Sequence, residues 1–269
     1  MLARAHQDAI WTRARDVNRL RSLLREFFPA ALTAFPDLST RTALRVLAAA
    51  PTPAAAAALS AEDLRVLLRE VRVALPAARL RRLVAVFAAE QLHQPAPVEQ
   101  AMGVAVQALV RTVTATCDAI AELEDALAAR FEHHPDAEIL RSLPGLGPIL
   151  GARVLGEFGD DRTRFPDAAS RRRYAGTAPV TRASGKARIV IRRRARNNRL
   201  ADACRWWAFA ALSHSVGVRT AYDARRAAGD GHDAALRRVG SKLLGQLHHC
   251  LAHRQVYQED QAWLTAERV

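Results

Sequence analysis

The chain has 269 residues, half of them hydrophobic, and carries 40 Lys and Arg against 27 Asp and Glu, a formal net charge of +13. That apolar content is ample for a buried core, which argues against a disordered chain, and the length admits one large unit or two smaller ones. The charge points to a polyanionic partner, either nucleic acid or an anionic membrane, because Lys and Arg bind phosphates without sequence preference.

A membrane span needs roughly 18 or more consecutive apolar residues. The nearest stretch, Leu47 to Leu59, is short, Ala-rich and interrupted by Pro51 and Pro53. Arg4, His6, Gln7 and Asp8 break any early signal-peptide run. The expectation is a cytoplasmic protein with no membrane partner. Cys117, Cys204 and Cys250 are odd in number, far apart and without metal-type CxxC spacing, which fits reduced thiols.

Taken in order, Ile10, Val17, Leu20, Leu24 and Phe27 predict a helix presenting one apolar stripe and closing near Pro29. Shorter helices follow over 43–50, 61–73 and 77–91, with breaks at Pro51, Pro53, Pro76 and Pro95. The longest periodic run is Val98 to Phe131, where Met102, Val106, Leu109, Val113, Ile120, Leu123, Leu127 and Phe131 keep three- and four-residue steps. This is close to coiled-coil spacing. It predicts either pairing with a second subunit, making a homo-oligomer, or a long helix packed inside its own chain.

After His133, His134 and Pro135, glycine, aromatic residues and arginine become frequent, which divides the chain into a helical, coiled-coil region over 1–135 and a C-terminal domain over 136–269. The latter reads as a helical hairpin (139–158), a short helix (168–174), a strand pair on either side of Ser184-Gly185, and helices over 198–213, 219–228 and 233–257. The β-branched run Ile189-Val190-Ile191 carries the strand prediction. The fold class is mainly α with a small β-hairpin.

Three constellations in this half can carry function. Leu140 to Arg153 (LRSLPGLGPILGAR) matches the helix-hairpin-helix pattern of DNA-binding proteins. Gly145 and Gly147 free the turn to reach positive φ and to set its N–H groups against a phosphate, and the helix opening at Pro148 aims its positive end there. A plain turn between packed helices is the alternative. Second, Arg171 to Arg199 holds eleven cations (Arg171, Arg172, Arg173, Arg182, Lys186, Arg188, Arg192, Arg193, Arg194, Arg196 and Arg199) and no Asp or Glu. Such a run is often a solvated face, yet Tyr174, a Gly-Thr-Ala-Pro turn and an apolar strand lie within it, which suits nucleic-acid contact. Gly145, Gly147, Arg153, Arg171, Arg172, Arg182, Lys186, Arg188, Arg192, Arg193, Arg194 and Arg196 are the candidate nucleic-acid ligands.

The third is Ser184 at the hairpin tip, between Arg182 and Lys186. A serine needs deprotonation and charge stabilisation to attack a phosphodiester, and clustered Arg and Lys meet the second need. From the residues alone, Ser-Gly is ordinary turn chemistry. His249 and His253 stand one helical turn apart but read as a helix face rather than a metal site. Glu122, Glu124, Asp125, Asp160 and Asp161 read as surface charge, so no metal ligand is assigned.

Three stretches, Leu2–Ala31, Leu140–Phe165 and Tyr174–Leu200, together resemble the DEDD-type transposases of the IS-one-ten insertion-sequence group. The resemblance implies an RNA-guided recombinase of three parts: a RuvC-like nuclease domain with four acidic Mg ligands, a helical coiled-coil middle, and a C-terminal transposase domain with a nucleophilic serine. The matching serine is Ser184. The sequence opens inside the middle part, so the acidic tetrad has no counterpart in it and Mg is expected only with the nuclease domain. The implied partners are DNA and a guide RNA. A non-catalytic helix-hairpin-helix binder of nucleic acid, and a structural helix-pairing protein, remain open at this level.

Overall fold

A computed structural model describes residues 1–91, 93–185 and 187–263. Helices dominate it: α1 (Leu2–Phe27), α2 (Pro29–Ala34), α3 (Arg41–Ala49), α4 (Pro53–Ala57), α5 (Ala61–Glu70), α6 (Ala77–Ala88) and α7 (Ala96–Glu132). Then come α8 (Ala137–Ser142), α9 (Pro148–Phe158), α10 (Ala168–Ala175), strands β1 (Val180–Ser184) and β2 (Ala187–Ile191), and α11 (Asn198–Ala211), α12 (Val216–Ala227), α13 (His232–His253) and α14 (Glu259–Trp263). Mainly α with a two-stranded antiparallel sheet is the fold class expected from the sequence.

The chain packs as two compact units, one of residues 6–122 and one of residues 1–5 with 123–269. The division falls inside α7, whereas the compositional change at His133–Pro135 falls just past its end.

In the first unit, short helices are started by side chains rather than by length. Thr40 and Thr52 accept the N–H groups of Ala43 and Ala55, and Ser60 and Asp63 form a reciprocal capping box at α5. These helices bury Leu20, Leu24, Phe28, Leu64, Leu80 and Phe87 with Val106, Val110 and Val113 of α7.

That packing bears on one expectation. The stripe weighed for pairing with a second subunit is used in part: Val106 and Val113 lie in the first unit's core, and Leu127 and Phe131 lie in the second's. Those four positions pack within the chain, as the second of the two alternatives expects, while Met102, Leu109 and Leu123 of the same stripe are half-buried. Helix α7 also passes the length and hydropathy test for a membrane span, which the sequence reading around residues 47–59 missed. Val106, Val110 and Val113 of it are buried in the first unit's core, and 22% of its apolar window is buried.

The second unit is organised around Trp207, fully buried on α11, with Leu140, Phe158, Leu200, Leu243, Leu244 and Leu247 about it. Burying a side chain of that size stabilises by about 2–3 kcal/mol in apolar area alone. Its indole N–H donates to the Pro144 carbonyl at 2.9 Å, tying α11 to the turn between α8 and α9. The sheet pairs Val180 with Ile191 at its open end and Ser184 with Ala187 at its tip. Thr181–Ser184, Ile189 and Val190 are exposed, so the hairpin stands off the core.

Candidate nucleic-acid interface

The α8–α9 turn is built by two glycines with different jobs. Gly145 has φ +72°, and a Cβ there would lie 2.5 Å from the Ala211 backbone nitrogen, so this glycine lets the turn press on α11. Gly147 has φ −70° and open space around it. Gly145 is thus packed against α11, and Gly147, exposed at the start of α9, is the one beside open solvent. Pro148 takes the first helical position and the first-turn amides of Ile149 and Leu150 have no helical acceptor.

The candidate arginines divide into two classes. Arg153 is buried and its guanidinium donates to the Asp202 carboxylate at 2.7 Å. Arg171 is buried over the Phe158 ring, 4.6 Å from its centroid, and donates through Nε to His248 Nδ1 at 3.1 Å. Arg172 donates through Nε to the Ser241 carbonyl at 2.8 Å. Arg153 and Arg171, expected as nucleic-acid ligands, are thus placed as internal ties, since a guanidinium satisfied inside the protein and stripped of water presents little to a phosphate, whereas Arg172 is half-buried and also lines an open pocket. Arg182, Arg192 and Arg194 are exposed, and Arg193 and Arg196 are half-buried. The Arg188 backbone pairs with Ala183, and Lys186 lies outside the described residues.

Ser184 is exposed at the last pair of the sheet, followed by Gly185 at φ +55°, the left-handed conformation that turns the chain. Its hydroxyl makes no hydrogen bond among the described residues. The stem beneath it is anchored by a network that sequence reasoning did not find. Asn197 caps α11 by accepting from Leu200 N–H at 2.9 Å, and its side-chain amide donates to buried Glu157 at 2.6 Å and to the Tyr174 hydroxyl at 2.8 Å. Glu157 also accepts from Arg4 at 3.0 Å. The polar residues were visible, but nothing in their spacing told which would converge.

His248 sits under this surface. Burial lowers its pKa, and the Arg171 guanidinium acts in the same direction, with Arg172 and His249 adding to it and Asp167 opposing. Its folded pKa therefore lies below the unfolded value of about 6.5, and the unfolded state takes up the proton first. Stability is expected to be intact above about pH 6.5 and to fall as pH drops below it. Thermal melts across that range should show a shallower fall in His248→Asn; an equal slope would exclude His248 as the source.

The remaining candidates carry little. His249 and His253 stack at 4.1 Å between ring centroids, and among the described residues no group of three or more His, Cys, Asp or Glu is placed to hold a metal. The described cysteines are unpaired, and burial pushes the Cys204 thiol up to about 12.

With this geometry in view, residues 137–223, from α8 to α12, match the family model described as Transposase IS116/IS110/IS902 family. This segment is similar to that transposase family. It contains the glycine turn, the basic stretch and Ser184. Over 268 residues, 98% of the chain, the protein is 48% identical to the mini-circle putative transposase for IS117 of Streptomyces coelicolor, covering 65% of that relative. It is 31% identical over 255 residues to the insertion element IS110 uncharacterized 43.6 kDa protein of the same species, covering 62% of it. It is 33% identical over 174 residues to the insertion element IS900 uncharacterized 42 kDa protein of Mycobacterium paratuberculosis, covering 44%. The chain thus spans 44% to 65% of the length of these relatives.

Proposed function

We propose that this chain grips DNA for transposition, with the β1–β2 hairpin as the contacting element and Ser184 at the nucleophile position. The observation that carries the reading is the hairpin itself: it projects from the core, and its exposed arginines, Arg182 within it and Arg192 and Arg194 just beyond it, have no acidic residue between them. A two-stranded β-ribbon fits the major groove of B-DNA, and arginines along it neutralise phosphates. The α8–α9 hairpin, with Gly147 exposed just before the half-buried first turn of α9, supplies a second anion-accepting surface of helix-hairpin-helix type.

In strand exchange the Ser184 hydroxyl oxygen would form a bond to phosphorus as one backbone P–O bond breaks. The serine proton passes to a base, and the departing oxygen takes one up. Nearby guanidiniums stabilise the charge that develops on the phosphoryl oxygens. The Mg-binding carboxylates implied by the family resemblance find no fit among the described residues, so no step is assigned to a metal here. A guide RNA would use the same basic surface.

A second reading, a nucleic-acid binder without chemistry of its own, is favoured by that same lack of a carboxylate cluster. The serine separates the two. In a strand-exchange reaction by an enzyme containing this segment, Ser184→Ala is expected to leave DNA affinity within about twofold, as neither charge nor packing changes, and to abolish the serine-linked protein–DNA adduct. An adduct that persists in the variant removes Ser184 from the nucleophile position.

A further inference from the structure

The base of the hairpin, away from Ser184, opens into a cleft of about 410 Å³ between β2 and helices α12 and α13. Arg192 enters from the end of β2, Arg225 from α12, and Arg237 and Arg238 from α13, with Ser241 one turn further along. Four guanidiniums thus converge from three elements. Two carboxylates answer them: Asp230 accepts from Arg225 at 2.9 Å and from Arg238 at 2.8 Å, and Asp233, which acts on Arg237 together with Asp230, also pairs with Arg205 at 3.0 Å. Among the described residues neither Arg192 nor Arg237 has an ion-pair partner. Arg237 is half-buried; burial lowers its pKa, the positive charges of Arg192 and Arg238 act in the same direction, and Asp233 and Asp230 oppose them. Arg196, also half-buried, feels Arg192 and Arg237 in the same way.

Like charges brought together in a partly dry cleft destabilise the folded protein. The arrangement becomes favourable when an anion with several acceptor oxygens sits among them, and the fork of donors on each guanidinium matches phosphate geometry. We infer that this cleft holds a phosphodiester group of bound DNA, with Arg192 and Arg237 as its direct ligands and Arg225 and Arg238 adding positive field. This rests on the DNA-binding reading and extends it to α12 and α13, which the sequence did not implicate.

The cleft is a different place from the serine. Ile191 beside the cleft and Ala187 opposite Ser184 lie four positions apart on β2, about 13 Å at roughly 3.3 Å per residue. The phosphate held in the cleft is therefore not the one that Ser184 would attack. It would fix the register of the duplex along the hairpin.

Binding of a DNA duplex by the chain is measured across a salt series for the unaltered protein, Arg237→Gln, Arg237→Lys and the double variant Arg192→Gln/Arg237→Gln, with Arg219→Gln as a control away from the cleft. Each lost phosphate contact is expected to flatten the log-affinity slope by about 0.9, so the advantage of the unaltered protein over Arg237→Gln shrinks about 3.5-fold between about 50 and about 200 mM salt. The double variant, which strips both direct ligands from the same phosphate, should lose at least that ~0.9 of slope, while Arg237→Lys and Arg219→Gln keep the slope of the unaltered protein. Inorganic phosphate should raise the melting temperature of the unaltered protein and not that of the double variant, whose melting temperature without phosphate is unchanged or higher because repulsion has been removed. Binding to DNA with a slope that the double variant leaves unchanged overturns the cleft and spares the DNA reading. Phosphate stabilisation through Arg192 and Arg237 in a protein that binds no DNA overturns the DNA reading and spares the cleft as a phosphate site.

Discussion

Gly145→Ala is expected to destabilise the C-terminal unit by roughly 2–5 kcal/mol, combining about 1–2 kcal/mol for a side chain in the left-handed region with about 1–3 kcal/mol for overpacking. The new Cβ would stand 2.5 Å from the Ala211 nitrogen and 2.8 Å from the Ala210 carbonyl carbon. Both are helix backbone and cannot rotate away. The turn would have to lift off α11, taking with it the bond from Trp207 to the Pro144 carbonyl. Against a total stability of about 5–15 kcal/mol for an ordinary domain, that is enough to lower the denaturation midpoint sharply. Gly147→Ala is the internal comparison: with φ −70° and nothing within 4 Å, it should change stability by less than about 1 kcal/mol. Urea denaturation of both variants tests the assignment, and equal midpoints would contradict it. A consequence for nucleic-acid work is that loss of binding in a Gly145 variant reports a damaged fold; Gly147 is the position at which to probe the turn.

The second large effect is expected at Asn197. Asn197→Ala removes the cap of α11, worth about 1 kcal/mol, and takes one donor from the buried Glu157 carboxylate and one from the Tyr174 hydroxyl, together about 1–3 kcal/mol because Arg4 and Arg164 still donate to them. The total is about 2–4 kcal/mol. Asn197→Asp should be worse despite keeping the cap, because it sets a second carboxylate 2.6 Å from Glu157 where an amide N–H now donates. The order unaltered, Ala, Asp in melting temperature is the result to look for. An Asp variant as stable as the unaltered protein would mean that the Glu157 network does not hold the stem of the basic segment. Because Asn197 follows directly on Arg192–Arg196, loosening it should also weaken DNA binding without removing any charge.

Much of this architecture was legible in the sequence for physical reasons that can be named. Pro148 after Gly147 marked the start of α9, since proline costs a helix nothing at its first position. Ile189-Val190-Ile191 around the Ser184-Gly185 turn marked the hairpin. What a charge run could not disclose is which arginines face inward. Arg171 and Arg172 sit in a row of three cations, but helical geometry turns them toward α9 and α13, where Phe158 of the first and His248 and the Ser241 carbonyl of the second receive them. The same limit hid the cleft, because Arg192 and Arg237 are brought together only by packing of the hairpin base against α13. The periodic stripe of α7 was read correctly as a helix, yet periodicity alone does not say whether the stripe meets another subunit or its own core. Here Val106, Val113, Leu127 and Phe131 meet their own core.

The central claim is that the exposed arginines of the hairpin segment hold DNA. Its most direct test compares duplex binding by the unaltered chain and by an Arg182→Ala/Arg194→Ala variant, both side chains being exposed, over a range of salt. The account predicts binding that weakens with salt, with the variant's log–log slope flatter by about 1.8 and its melting temperature unchanged. Salt-insensitive binding, or a slope that the variant leaves untouched, would contradict it.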